Sequence, residues 1–184
     1  MSLFVCADLH LSHKGITKFL RPDGVTKERP WDTIEEMDEA LIDNWNKVVS
    51  PKDTVLVLGD VVINRSALPK LARLNGNKEL VQGNHDVFRD EEYLQYFTKI
   101  HVMKILDNFI CTHIPIHPCS VERWSGNIHG HLHSNSVTDN SVIDNRYLCV
   151  SMEQIDYTPI SFEDVKAKFS LQKENWYEQT DYSK

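Results

Sequence analysis

Residues 54 to 62, Thr-Val-Leu-Val-Leu-Gly-Asp-Val-Val, constrain the fold more than any other stretch of this chain. An unbroken apolar run suits a strand covered on both faces, and the glycine that follows lets the backbone turn sharply where the strand stops. Asp60 then sits at the C-terminal rim of a buried sheet. An acid in that place commonly serves turn chemistry. Here, however, other potential metal ligands recur where other apolar runs end: Asp8 and His10, Asn84 and His85, His113, then His131 and His133. The pattern predicts one polar site built from several strand ends.

Taken in order, residues 2 to 7 read as the first strand, followed by a polar loop with His13 and Lys14. Residues 21 to 31 form a loop. A helix follows over about 33–48, with Asp32 and Glu35 as a capping box and Ile34, Met37, Leu41, Ile42, Trp45 and Val48 as its buried stripe. Residues 66–74 read as a short helix stopped by Asn75-Gly76-Asn77, and 78–82 as a strand ending in Gly83-Asn84-His85-Asp86. Strand, helix, strand in that order predicts parallel βαβ units. Beyond residue 98 the strands crowd together, at 100–106, 108–112, 127–132 and 146–151, with Asp107-Asn108 as a hairpin turn. That half reads as more antiparallel. A helix over 161–169, capped by Ser161, and a polar tail from about 170 finish one domain over 1–184.

A chain of 184 residues supports one domain with a real core. Its N-terminus lacks a basic region and reads as a strand rather than a signal peptide. No apolar run approaches the roughly 20 residues of a membrane span. The expectation is a soluble, cytoplasmic protein without a membrane partner. Cys6, Cys111, Cys119 and Cys149 form no CxxC pair, and three lie in apolar runs, so they read as free thiols. The net charge of −7 disfavours broad electrostatic capture of nucleic acid. It leaves a phosphate substrate open, because bound cations reverse the field of an acidic cleft.

Asp8 and His10 stand two residues apart, as do His131 and His133, so in extended backbone each pair points one way. An Asp/His/Asn set without thiolate suits Mn, Fe, Zn, Ni or Co. Seven candidate ligands exceed the three or four of one catalytic zinc, and two divalent ions sharing a carboxylate fit the count.

Asp8-Leu9-His10, Gly59-Asp60, Gly83-Asn84-His85-Asp86, Thr112-His113 and Gly130-His131-Leu132-His133, in this order, resemble the five signature blocks of the calcineurin-like metallophosphoesterases. Arg29-Pro30-Trp31, the acidic helix to Asn44-Trp45-Asn46, and Tyr157-Thr158-Pro159-Ile160-Ser161 resemble a small bacterial and phage branch of that family. The resemblance implies an α/β fold, a two-sheet β-sandwich flanked by helices in four αββα layers. It assigns Asp8, His10, Asp60 and His133 to one metal and Asp60, Asn84, His113 and His131 to the other, with Asp60 as bridge. It further implies hydrolysis of a phosphodiester or phosphomonoester by a metal-bridging hydroxide, with His85 assisting the leaving group and Asp86 holding the His85 imidazole. His13 and His117 are candidate substrate contacts, and His129, on the strand face of His131, reads as a structural residue or as a support behind the ligands. Trp124 beside Arg123 is a candidate for nucleobase stacking. Arg65 falls one place later than the arginine of the family's protein phosphatases. The expected substrate is a small, nucleotide-like phosphate ester. A DNA or RNA nuclease using the same site, and a non-catalytic binding scaffold, are the alternatives.

Overall fold

The computed structural model describes residues 1–181, with side chains described through residue 172. β1 (Leu3–Cys6) leads through a long loop, with a 3₁₀ turn at Ile16–Lys18, into α1 (Ile34–Val48) and β2 (Thr54–Val57). A 3₁₀ segment over Arg65–Arg73 precedes β3 (Asn77–Val81), the single turn α2 (Asp90–Tyr93) and β4 (Lys99–His101). Then come β5 (Lys104–Leu106), β6 (Phe109–Cys111), the single turn α3 (Pro118–Val121), β7 (Gly126–His129), the hairpin of β8 (Thr138–Asp139) and β9 (Val142–Ile143), and β10 (Tyr147–Cys149). β11 (Ile160–Ser161) and α4 (Phe162–Asp181) close the described chain.

β11, β1, β2, β3 and β4 form the first sheet, and β10, β7, β6 and β5 the second. β1 to β4 are mutually parallel, as the βαβ reading requires, and β11 lies antiparallel at the edge beside β1. The second sheet departs from its antiparallel reading. β7 runs parallel to both β6 and β10, and β5–β6 is the antiparallel pair. Parallel pairing puts the carboxyl ends of β6, β7 and β10 at one edge, where they meet the carboxyl ends of β1, β2 and β3. The sheets join there: Ala7 N donates to the Val150 carbonyl at 2.9 Å and Met152 N to the Ala7 carbonyl at 3.1 Å. The α/β sandwich is therefore present, with its helices unevenly distributed. Met37, Leu41, Ile42 and Trp45 of α1 share one core with Val5, Val55, Val57 and Leu80 of the first sheet. Phe162 and Phe169 of α4 close on Phe109 of β6, at centroid distances of 6.1 and 4.8 Å.

Several local details shift. The capping box of α1 lies one residue on: Thr33 Oγ1 accepts from the Glu36 amide and Thr33 N donates to Glu36, each at 3.2 Å. Asp32 pairs with Lys27 at 2.6 Å instead. The 66–74 segment is 3₁₀ rather than α because Pro69 lies inside it, lacking an N–H and crowding the preceding turn. The 100–106 strand splits, β4 joining the first sheet and β5 the second, and Val102 and Met103 at the crossing are exposed. Asp107 and Asn108 make the expected turn with φ of 44° and 67°, both left-handed, as a tight hairpin demands. The Ser161 hydroxyl accepts from the Asp164 amide at 3.1 Å, but α4 continues through Asp181, so most of the expected tail is helix. Residues 182–184 lie outside the described residues. All four cysteines are free, Cys6 and Cys111 buried, Cys149 partly buried and Cys119 exposed.

Candidate metal centre

β1 and β2 stay side by side beyond their formal ends, with Asp8 N on the Gly59 carbonyl and His10 N on the Asp60 carbonyl, both at 3.0 Å. The two ligand-bearing turns are thereby locked together. Gly83 fits into this junction because a Cβ there would come within 2.2 Å of Asp60 Oδ1. Asp8, His10, Asp60, His131 and His133 all have left-handed backbone, with φ of 59°, 49°, 57°, 69° and 51°. Non-glycine residues seldom adopt that conformation, and such strain gathers at functional sites.

The side chains form two groups. Potential ligand atoms of Asp8, His10 and His133 lie within 4.8 Å of one another, and so do those of Asp60, His113 and His131. The period-two reading of His131 and His133 is thus corrected. Left-handed backbone at both positions breaks the alternation of an extended strand, and the two rings serve different groups. Asp60 Oδ2 lies 3.7 Å from His10 Nε2 and 3.4 Å from His113 Nε2, between the groups. Asn84 joins the second group, its Oδ1 at 2.8 Å from His113 Nε2.

The donor chemistry fits divalent ions. Asp8 Oδ2 accepts from Ser151 Oγ at 2.6 Å and from His131 N at 2.8 Å. Asp8 Oδ1 is buried without a hydrogen bond, 3.8 Å from His10 Nε2. A buried carboxylate oxygen with no donor calls for a cation. In the second group, His113 Nδ1 is bonded to the Leu58 carbonyl at 2.8 Å. A neutral His113 ring then turns its Nε2 lone pair toward the oxygens of Asn84 and Asp60, three acceptors facing one another.

Without cations the charges are poorly matched. Burial pushes the Asp8 carboxyl up to about 6. Burial, aided by the Arg29 charge, holds His10 well below the usual imidazole range, and burial with the His113 charge lowers His131. Burial opposes protonation of His113 too, but the bond and charge of Asp60 outweigh it and raise this ring.

His85 is exposed at the rim, its ring edge-on to His10 at 5.7 Å, and its amide donates to Asp60 Oδ1 at 2.9 Å. Asp86 does not hold the His85 imidazole as expected. Its carboxylate is buried and accepts from three backbone amides: Asp60 at 2.8 Å, Val61 at 3.0 Å and Gly83 at 2.8 Å. The donors that need it are main-chain groups of the two ligand turns. His13 reaches the site's edge, with its ring 5.6 Å from that of His10, and lines a polar cleft of about 510 Å³ with Ser12, Lys14, Asn64 and Lys70. His117 belongs to neither group, and its Nδ1 accepts from the Cys119 amide at the start of α3. His129 is structural, buried with Nδ1 on the Gly130 carbonyl at 2.8 Å, and burial lowers it to about 4. Arg65 pairs with Glu92 at 3.2 Å and stacks on Phe88, and Trp124 carries Arg123 at 5.7 Å from its ring centre.

Ser151 and Glu153, which the sequence reading left without a role, touch ligand residues directly. Glu153 Oε1 lies 3.1 Å from His133 Nδ1 and receives Arg29 Nε at 2.8 Å. The strand-end rule that picked out the other residues applies here too, because both follow β10.

Known proteins resemble this chain in sequence or in structure. An uncharacterized protein of Methanocaldococcus jannaschii is 31% identical over 171 residues, covering 88% of this chain and 87% of that protein. The gene 66 protein of Mycobacterium phage L5 is 33% identical over 85 residues, 44% of this chain and 37% of its own length. The crystal structure of a protein of unknown function from Aquifex aeolicus superposes with a TM-score of 0.66 at 25% identity, over 90% of this chain and 98% of that one. The family model of the calcineurin-like phosphoesterases matches residues 1–183, the span that carries both ligand groups, and the chain belongs to that family.

Proposed function

We propose that this protein is a dinuclear metal-dependent phosphodiesterase acting on a small, nucleotide-like phosphodiester in an open site. The observation that carries the reading is the position of Asp60, a member of one three-residue ligand group whose Oδ2 also lies 3.7 Å from His10 Nε2 of the other. Two divalent ions would supply a water acidified to a nucleophile near neutral pH and positive charge for the phosphoryl oxygens. Asp8, His10, Asp60 and His133 would hold one ion, and Asp60, Asn84, His113 and His131 the other. His85 stands exposed beside the shared carboxylate, tethered by its amide, free to donate its ring N–H to a phosphate or to the departing oxygen. His13 faces the same rim and offers a second contact. Among the described residues no helix is long and apolar enough to cross a membrane.

The test is turnover by metal-stripped protein reloaded with Mn, Ni, Zn or Mg, on a bis-aryl phosphodiester and an aryl phosphomonoester. Diester hydrolysis should exceed monoester hydrolysis, and His85→Ala should lower it about 10²–10⁴-fold. Undiminished turnover by Asp60→Asn would sink the dinuclear reading, and equal or faster monoester turnover would make the protein a phosphatase. Cleavage of labelled oligonucleotides in preference to both aryl esters would replace the small-molecule substrate with a nucleic acid.

A further inference from the structure

Two sequence features with no part in the reaction above converge behind the first ligand group. Arg29-Pro30-Trp31 and the segment from Ser151 to Tyr157 lie far apart in the chain, yet Trp31 packs edge-on against Tyr157 at 4.8 Å and Tyr157 Oη donates to the Glu28 carbonyl at 2.8 Å. Inside this junction the side chains of Arg29 and Glu153 are both 0% exposed. Buried charges of this kind persist only when paired, and a simple tie between two loops would satisfy that need.

The distribution of their bonds goes further than a tie. Glu153 Oε1 receives Arg29 Nε and also faces His133 Nδ1. With Nδ1 committed to the carboxylate, Nε2 is the ring nitrogen left for an ion. Both terminal nitrogens of the guanidinium also donate to main-chain carbonyls, Nη1 to Leu9 at 2.9 Å and Nη2 to Asp8 itself, and Nη1 further meets Met37 Sδ at 3.8 Å. One guanidinium therefore braces the backbone under a ligand in left-handed conformation and, through Glu153, orients the ring of another. In the second group, the ring nitrogen of His113 that faces away from the ligands is bonded to the Leu58 carbonyl instead.

We propose that Arg29 and Glu153 are positioning residues that preset the Asp8–His10–His133 subsite, so that the affinity of this subsite depends on them and that of the Asp60–His113–His131 subsite does not. The inference rests on the two-ion reading above. Lysine cannot replace Arg29, because the planar fork reaches a carboxylate and two carbonyls at once.

The experiment is calorimetric titration of metal-stripped full-length protein with Mn(II), alongside apo-protein melts. Asp8→Asn and His113→Ala identify which binding step belongs to which subsite. Glu153→Gln, which keeps an acceptor oxygen, and Arg29→Lys should each weaken the first-subsite step by about 10–100-fold and leave the other within about threefold. Because a lone buried charge can unfold the chain, Arg29→Met combined with Glu153→Gln removes both charges together and should show the same selective loss. A general loosening would instead lower both steps in parallel with the melting temperature, and that result would overturn the proposal. Two unaltered steps in all three variants would overturn it as well while leaving the two-ion reading intact. No binding step in the unmodified protein would remove the two-ion reading and this inference with it.

Discussion

Asp86→Asn replaces one buried oxygen by an amino group without changing the side chain's size, and its cost can be worked from three hydrogen bonds. The asparagine oxygen does best at the Oδ2 position, where it keeps the amides of Asp60 and Gly83, both at 2.8 Å. Its Nδ2 then faces the Val61 N–H across 3.0 Å, donor against donor. The lost charge-assisted bond is worth about 1.5–3 kcal/mol, and weakening of the two survivors adds about 1 kcal/mol. Against this, burial raises the Asp86 pKa, so removing its charge offsets part of that cost. The net loss is about 2–3 kcal/mol, which for a domain of this size lowers Tm by roughly 5–10 °C. Circular dichroism melts in chelator measure it without any contribution from bound metal. An unchanged Tm, accompanied by lost turnover and an altered pH profile, would refute the scaffold role and return Asp86 to the side chain of His85.

Glu79 provides a pH-dependent counterpart at the outer edge of the sandwich. Burial would raise this carboxyl, but Lys104, His101 and Lys99 outweigh it and hold the group at about 2, below its ordinary 4.5. A value depressed by folding stabilises above the unfolded pKa and is lost as pH falls through the folded one, so the benefit is full at neutrality and fades between about pH 4.5 and 2. Glu79→Gln should cost about 2 kcal/mol at pH 7 in denaturant titrations, and the gap from the unmodified protein should close in that acid window; a gap that persists at pH 2 would contradict this. Mn(II) at a hundredfold excess over its dissociation constant should add about 2.7 kcal/mol per independent site. The apo protein should therefore gain roughly 10–20 °C if two sites fill, with Asp8→Asn gaining about half of that, as scanning calorimetry would show.

The parallel half of the fold and the polar strand ends were legible because apolar runs and their terminators are local. The second sheet was misread for a physical reason. Parallel pairing usually announces itself through a long crossover helix, whereas β6 and β7 are joined through the single turn α3, and β7 and β10 through a short hairpin. Period-two reasoning holds only in extended backbone, and Asp8, His10, His131 and His133 are all left-handed, so alternation explains neither the shared group of the first pair nor the split of the second. The partners of Asp86 are main-chain amides, which carry no side-chain signature. The contact of Arg29 with Glu153 spans 124 positions, and no spacing rule reaches so far.

The left-handed ligands set a limit on how this protein can be improved. At Asp8, His10, Asp60, His131 and His133 the backbone is one that glycine adopts freely and other residues resist by about 1–2 kcal/mol. Selection for folded, heat-resistant protein alone would therefore reward glycine at the very positions that carry the ligands. A library sorted only by melting temperature should drift toward well-folded chains with an emptied site, so any stabilisation campaign on this scaffold has to hold those five codons fixed or select for metal uptake at every round.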